Sequence, residues 1–395
     1  LGAVRDLAPI PGSRSIRRLA DRTRRRAGHG PGAPGKPRRC NIKALILSGG
    51  KGTRLRPITF TSAKQLVPVA NKPILFYGVE AIRDAGITDV GIVVGDTHEE
   101  IEAAVGDGSR FGIHVTYIHQ EAPLGLAHAV KVSRDFLGDD RFVMFLGDNL
   151  IRDGITALVR EFESARPDCQ ILLARVPNPQ EFGVAELDGN RVVRLEEKPK
   201  EPRSDYALVG VYMFDASVFE AVNAIKPSQR GELEITDAIQ YLIDSKRDVR
   251  SHVIGGWWKD TGKLEDMLEA NRIVLSGLTG RIEGEVDAAS RIEGEVVIGK
   301  GSRVTGSTLR GPLIIGAHCT IADAFIGPFT SVHDGAEIRG SEIEHSILLE
   351  GAKVIGLQHR MESSLLGRNV EIVRGATRPA TYRFLVGDLG RIEVC

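Results

Sequence analysis

Residues 42–57 read Ile-Lys-Ala-Leu-Ile-Leu-Ser-Gly-Gly-Lys-Gly-Thr-Arg-Leu-Arg-Pro. The first six are mostly apolar and β-prone, as suits a strand covered on both faces of a sheet. The strand breaks at Ser48-Gly49-Gly50-Lys51-Gly52-Thr53-Arg54. Glycines here let backbone amides approach a bound group with no Cβ in the way. Successive N–H groups in such a loop form a concave anion site, to which Lys51 and Arg54 add positive charge. The segment reads as a loop that holds nucleotide phosphates; the plainer alternative is a glycine-rich turn without a ligand. Two common phosphate loops do not fit. A Walker A loop needs Ser or Thr after Gly-Lys, and Lys51 is followed by Gly52; the dinucleotide fingerprint needs a third glycine where Leu55 stands.

The sequence after this loop alternates strand and helix. Helices are expected over 71–86, 97–105 and 125–137, and strands over 89–95, 113–118 and 141–146, the last ending in Gly147-Asp148-Asn149. Such alternation implies a largely parallel sheet with helices on both faces, whose ligands sit beyond the carboxyl ends of the strands. The glycine loop and Asp148 both fall at such ends. Residues 170–214 are more β-like, with strands over 170–176, 183–187, 192–196 and 206–214. A helix over 232–246 and a strand over 249–254 follow, then Trp257-Trp258-Lys259-Asp260-Thr261-Gly262 leading into a helix that ends near Leu275.

Beyond about residue 279 the helical period stops. Apolar residues recur every sixth position at Val286, Ile292, Ile298 and Val304, then Leu309, Ile315 and Ile321, then Ile326, Val332 and Ile338, each set offset by five from the last. A six-residue period fits short strands joined by tight corners, three to a coil, stacked as a β-helix. The alternative is a meandering β domain with accidental spacing.

The chain has 395 residues and no formal net charge, but eleven Lys/Arg and only two Asp/Glu lie in residues 1–40, leaving 41 basic and 50 acidic residues beyond. An acidic body gives no support to a nucleic-acid surface. The Arg-, Pro- and Gly-rich residues 1–40 are expected to be a disordered tail. Cys40, Cys169, Cys319 and Cys395 are widely spaced, which suits a reducing cytoplasm and no structural metal centre. No apolar run approaches eighteen residues, so no membrane span is expected.

Two carboxylates from distant segments, Asp148 and Asp260, can share one Mg²⁺ whose other positions are filled by phosphate oxygens and water. Each could instead cap the turn that follows it. Lys64 by itself reads as a surface lysine, and Glu197-Lys198 as a charged strand end or as a partner for sugar hydroxyls and a phosphate.

Residues 43–275 closely resemble the sugar-1-phosphate nucleotidylyltransferases, specifically glucose-1-phosphate thymidylyltransferases. The resemblance rests on LSGGKGTRLRP at 47–57, SAKQLVPVANKP at 62–73, HQEAPLGLAHA at 119–129, LGDN at 146–149, FGV at 182–184, LEEKP at 195–199, GELEITD at 231–237 and WWKDTG at 257–262. The added coil is similar to that of the long form of the enzyme. The resemblance implies an α/β fold: a Rossmann-like mixed-sheet nucleotidylyltransferase domain over 41–278, then a left-handed parallel β-helix over 279–395. It implies Mg²⁺-dependent transfer of a thymidylyl group from dTTP to glucose 1-phosphate. Arg54 and Lys64 would hold phosphates and stabilise the transition state, and Asp148 and Asp260 would hold the metal. Leu47, Gly49, Gly50, Gly52 and Thr53 would line the nucleotide, with Gln65, Gln120 and Gly125 near the base. Asn149, Gly183, Glu197, Lys198 and Trp258 would surround the sugar phosphate. Lys259 replaces an apolar residue of short-form members and receives no role. The coil is expected to serve assembly, possible homo-oligomerisation included, or regulation; acyl transfer by His318, His333, His345 or His359 is the weaker alternative. Rival readings are the same fold acting on UTP, GTP or another sugar phosphate, and a catalytically inactive scaffold.

Overall fold

The computed structural model describes residues 42–50, 52–189, 191–375 and 383–394; the tail expected over 1–40, together with Lys51 and Cys395, lies outside them. Strand β1 (Ile42–Leu47) occupies the middle of a parallel block. It pairs in parallel with β4 (Asp89–Val94) on one side and β6 (Arg141–Leu146) on the other, and β4 pairs in parallel with β5 (His114–His119). Leu47 stands opposite both Val93 and Leu146, so the carboxyl ends of three strands are level. Between β1 and β4 a short hairpin of β2 (Pro68–Val69) and β3 (Lys72–Pro73) precedes α1 (Ile74–Asp84). The helix expected from residue 71 therefore starts later: Ala70 and Asn71 take φ of 47° and 61° to turn the hairpin, and Pro73 sets the first helical turn.

Alternate residues of these strands feed two cores, one on each face. Ala44, Ile46, Val143 and Phe145 join Leu75, Val79 and Ile82 of α1 and Phe162 of α5 (Thr156–Ala165). Leu45, Leu47, Phe142 and Met144 join Ala127 and Val130 of α3 (Leu126–Val132) and Ile239 and Leu242 of α7 (Ile235–Asp244). This two-sided burial is why β1 and β6 read as continuous apolar runs. Helix α2 (His98–Val105) follows β4; α4 (Arg134–Leu137) follows α3 after a break at Ser133, and α6 (Val218–Ala224) packs in the second core. The sheet continues through β11 (Tyr206–Phe214), β8 (Cys169–Arg175), β12 (Val249–Val253), β10 (Arg191–Glu197) and β9 (Gly183–Asp188). Because β11 runs antiparallel to β6 and β8, the nine-stranded sheet is mixed, as expected. Outside it, β7 (Asn149–Ile151) pairs antiparallel with β13 (Trp258–Asp260).

Helix α8 (Leu264–Ser276) ends the α/β part, and the first short strand of the coil begins at Arg281. From there successive strands fall in turn into three parallel sheets of six, six and five strands. Ile298 stacks on Ile315 and then Val332; Val304 on Ile321 and then Ile338; Leu309 on Ile326 and then Ile343. A rung of seventeen residues, two sides of six and one of five, explains the offset read in the sequence. Eight of the ten periodic positions are in one buried cluster, and Val286 and Ile292 pack against its end. This strand pattern fits a parallel β-helix.

A fourth apolar cluster joins the coil to the α/β part. It contains Leu55, Val67, Val69, Ile74, Met267, Leu268, Ile347 and Leu349. Asn271 of α8, fully buried, ties three segments together. Its Oδ1 accepts from the Ala70 amide at 2.8 Å and from Ser331 Oγ at 3.0 Å, and its Nδ2 donates to the Phe329 carbonyl at 2.9 Å. Asn71 Nδ2 donates to the Val332 carbonyl at 2.7 Å. Removing the Asn271 amide leaves buried groups without partners. Asn271→Ala is therefore expected to destabilise the protein by about 1–3 kcal/mol, read as a lowered Tm in thermal denaturation.

Candidate active site

The sheet topology sets the glycine loop between two strand ends. Ser48 N donates to the Val93 carbonyl at 2.8 Å, and Gly147 N to the Leu47 carbonyl at 2.9 Å. Leu47, the last residue of β1, lies at the base of this loop. A Cβ at Gly49 would meet Gln120 Oε1 at 3.3 Å, and one at Gly50 would face Gln65 Nε2 at 3.7 Å. Gly52 has φ of 61° and leaves no room for a side chain, since its Cβ would lie 2.8 Å from Lys64 Cβ. Thr59 Oγ1 donates to the Gly52 carbonyl at 2.7 Å. Thr53 and Arg54 then enter a single 3₁₀ turn, exposed, while Leu55 is buried.

The two carboxylates meet because β7 and β13 pair with Asp260 opposite Asn149. Thr261 reinforces the junction: its amide and Oγ1 both donate to the Asp148 carbonyl, at 3.2 and 2.8 Å. Lys64 Nζ donates to Asp148 Oδ2 and lies 3.8 Å from Asp260 Oδ1. Burial by itself would lower the Lys64 pKa, but Asp148 and Asp260 outweigh it and hold it above the ordinary lysine range. Burial likewise works against ionised Asp148, yet Lys64 and the Asn149 amide keep its carboxyl below the usual range. Asp260 is pushed up to about 6 by burial and by the neighbouring Asp148 charge. The Arg54 guanidinium approaches from the same side: a Cβ at Gly262 would lie 3.1 Å from Asp260 Oδ2 and 3.7 Å from Arg54 Nη1.

Asn149, 2% exposed, is fixed from both ends. Its Nδ2 donates to Asp148 Oδ1 at 2.9 Å, and its Oδ1 accepts from Trp258 Nε1 at 2.5 Å. The Trp258 ring meets Phe182 edge-on at 5.2 Å, and the Phe182 carbonyl accepts from the Lys198 amide at 3.0 Å. Gly183 follows Phe182 directly, and a Cβ there would come within 3.1 Å of Glu197 Oε2 and 2.7 Å of Thr236 Cγ2. Glu197 accepts from Arg230 at 3.3 Å and Thr236 at 3.4 Å, and lies 3.8 Å from Lys198 Nζ. Burial lifts its carboxyl above the ordinary range, against the pull of Lys198 and Arg230.

On the opposite side of the glycine loop, Gln120 Nε2 lies 3.3 Å from the Gly125 carbonyl and 3.0 Å from His128 Nδ1. Burial and Lys131 hold His128 below the usual histidine range, so its ring nitrogen can accept. With both amide protons engaged, Gln120 turns its oxygen toward Gly49. Gly125, at φ 102°, passes so close to Leu233 that a Cβ would sit 2.4 Å from the Leu233 carbonyl oxygen. Gln65 is 3% exposed, and its Oε1 receives no hydrogen bond.

A nucleotidyl transferase family model matches residues 43–277. The chain belongs to the nucleotidyl transferase family. This nucleotidyltransferase is 58% identical to a glucose-1-phosphate thymidylyltransferase of Streptomyces antibioticus, over 89% of its own length and 99% of the relative's. It is 45% identical to a low-salt glycan biosynthesis nucleotidyltransferase of Haloferax volcanii, over 89% of this chain and all of the relative. A solved structure from Bacillus anthracis, described as a glucose-1-phosphate thymidylyltransferase in complex with sucrose, is 37% identical and superposes with a TM-score of 0.57. It covers 61% of this chain and 98% of its own.

The structure thus gathers the sequence-selected residues into three neighbouring groups. The first is Arg54, Lys64, Asp148 and Asp260; the second is Gly49, Gly50, Gln65, Gln120 and Gly125; the third is Asn149, Gly183, Glu197, Lys198 and Trp258. Four supporting residues stand outside that selection: His128, Arg230, Thr236 and Thr261. Three of them lie inside quoted motifs, and Arg230 stands one residue outside one. Lys259 pairs with Asp266 at 2.7 Å.

The raised Asp260 depends in part on a like charge beside it. In ¹³C-carboxyl NMR of the metal-free protein, Asp260 is expected to titrate near pH 6 and to move down by about a unit or more in Asp148→Asn. An unchanged midpoint would mean that the two carboxylates do not interact.

Proposed function

We propose that the protein transfers a thymidylyl group from dTTP to α-D-glucose 1-phosphate, forming dTDP-glucose and releasing pyrophosphate. The observation that carries this reading is the meeting of Lys64, Asp148 and Asp260 beside the glycine loop. It occurs in a chain with a full-length relative that is a thymidylyltransferase. A sugar-phosphate oxygen attacks the α-phosphorus in line, the bond to the β-phosphate bridging oxygen breaks, and pyrophosphate leaves. No enzyme nucleophile is needed, so the protein works by positioning and charge.

Each residue then has a task. Arg54 and Lys64 bind the phosphates of the two substrates, Lys64 being held protonated by its acidic neighbours. The loop from Leu47 through Gly49, Gly50, Gly52 and Thr53 offers backbone amides to the triphosphate. Gln65 and Gln120 meet the thymine: each has an amide oxygen directed at the glycine loop or lacking a donor, and the base carries an N–H able to fill that need. Gly125 lets the backbone pass close beneath. Asn149, Gly183, Glu197, Lys198 and Trp258 receive the glucose phosphate, Glu197 accepting from hydroxyls and Lys198 facing the phosphate.

Asp148 and Asp260 fit a divalent cation, which we take to be Mg²⁺. They supply hard oxygen ligands from two segments; burial and the Asp148 charge together lift the Asp260 carboxyl, and a cation shared between the two offsets both. When bound, such an ion neutralises charge gathering on the phosphate oxygens. We further read 41–278 as the nucleotidylyltransferase domain and the coil expected over 279–395 as a left-handed β-helix serving assembly or regulation; its last strand ends at Val373, and the described residues 383–394 carry none. Among the described residues no helix is long and apolar enough to cross a membrane, and the buried free thiols of Cys169 and Cys319 support a cytoplasmic enzyme.

Pyrophosphate release across a matrix of nucleoside triphosphates and sugar 1-phosphates tests the reading, with dTTP and glucose 1-phosphate expected to give the highest kcat/KM. Preference for UTP, GTP or another sugar would overturn it. Asp148→Asn is expected to lower kcat by roughly 10²–10³-fold with an unchanged far-UV circular dichroism spectrum. Near-normal turnover in that variant would refute the metal assignment. Because Asp260 must lose its proton to act as a ligand, Mg²⁺ affinity measured by calorimetry should weaken about tenfold per unit as pH falls below 6.

A further inference from the structure

Helix α2 begins at the carboxyl end of β4, and β5 ends beside it at His119, one residue before Gln120. Within α2, His98 and Glu102 are four residues apart and therefore share a face. Glu102 Oε1 lies 3.4 Å from His98 Nδ1 and 3.7 Å from His119 Nε2, and one ligand atom from each of the three residues falls within 4.8 Å of the others. The two imidazoles stand edge to face with centroids 4.9 Å apart. At 3.7 Å the His119 contact is too long for a hydrogen bond, and His98 Nδ1 makes none. The two separations are close to the edge of a ligand tetrahedron, about 3.3–3.5 Å, around a Zn²⁺ ion with bonds of about 2.0–2.2 Å to nitrogen and carboxylate oxygen. A second observation points the same way: His98 Nδ1 is buried and makes no hydrogen bond, while its nearest acidic neighbour is this carboxylate. A buried ring nitrogen without a partner is costly, and a metal ion satisfies it.

We propose that His98, Glu102 and His119 form a metal-binding site for Zn²⁺ or a similar borderline transition ion, separate from the Asp148–Asp260 pair. Two imidazoles and one carboxylate are the donor set that such ions take and that Mg²⁺ does not favour. Two of the three ligands sit on one helix face and are partly buried, so they are preset; His119 is exposed and its ring can turn to close the set. The fourth position faces outward and takes water. Occupancy links the first turn of α2 to the end of β5 and so braces the strand that leads into Gln120.

Calorimetric titration of the metal-stripped full chain with Zn²⁺ tests this. The titration is run in an Asp148→Asn background, which removes the other acidic pair, and is repeated after adding His98→Ala and His119→Ala together. One equivalent of Zn²⁺ is expected to be lost on adding the two histidine substitutions. Glu102→Gln alone should weaken that equivalent at least tenfold, while circular dichroism stays unchanged. A Zn²⁺-dependent rise in Tm should vanish with the same substitutions. Equal stoichiometry and affinity with and without the two histidines would overturn the proposal, whatever other groups in the chain bind zinc.

Discussion

Three residues of backbone pairing, β7 against β13, carry the arrangement of the site. Asp148 and Asp260 are more than a hundred residues apart, and neither lies in the main sheet. They become neighbours only because Asp260 pairs opposite Asn149 and Thr261 closes on the Asp148 carbonyl. Burial first, and then the charge of Asp148 beside it, lifts the Asp260 carboxyl above its ordinary range. Lys64 offsets part of this lift from a third segment. The cluster is thus assembled from three stretches of chain, each held elsewhere by apolar packing.

Much of this was legible in the residues. The parallel block around β1 follows from continuous apolar strands broken by Gly-rich ends, and β6 falls where the run at 141–146 indicated. The seventeen-residue rung of the coil could be read directly, because one inward apolar side chain per face leaves a fixed period. The helix begins later than the sequence indicates near residue 71, since a hairpin needing left-handed backbone at Ala70 and Asn71 resembles a helix entrance when followed by proline. The helix expected over 125–137 breaks at Ser133, whose Oγ bonds back to the Ala129 carbonyl. That of 232–246 begins only at Ile235, because buried Glu234 is engaged by Ser228. Pairing of β7 with β13 had no signal at all: three-residue strands carry too little periodicity to announce a partner. Arg230 and His128 escaped for a related reason. They act through Glu197 and Gln120, and support at one remove leaves no pattern in a single sequence.

The coil's place against the α/β part gives it a bearing on the site that sequence reading did not supply. Leu55, adjacent to Arg54, is buried in the cluster that includes Ile347 and Leu349, and a Cβ at Gly367 would lie 3.5 Å from Ile58. Val67 and Val69, just beyond Lys64, belong to the same cluster, and Asn271 spans α8, the β2–β3 hairpin and the coil. The two cations that face the acidic pair therefore stand on segments whose undersides rest on the coil.

That seating has a consequence for how the coil can vary in length. The rungs that touch the α/β part are those around 329–332, 347–349 and 365–367, toward the far end of the stack rather than its beginning. Whole turns could be appended past residue 373 without disturbing the seat. Shortening from the same end would strip the floor from under Leu55 and Ile58 first. Tolerance to insertion and tolerance to loss are thus opposite at this terminus, although both change the same repeating unit.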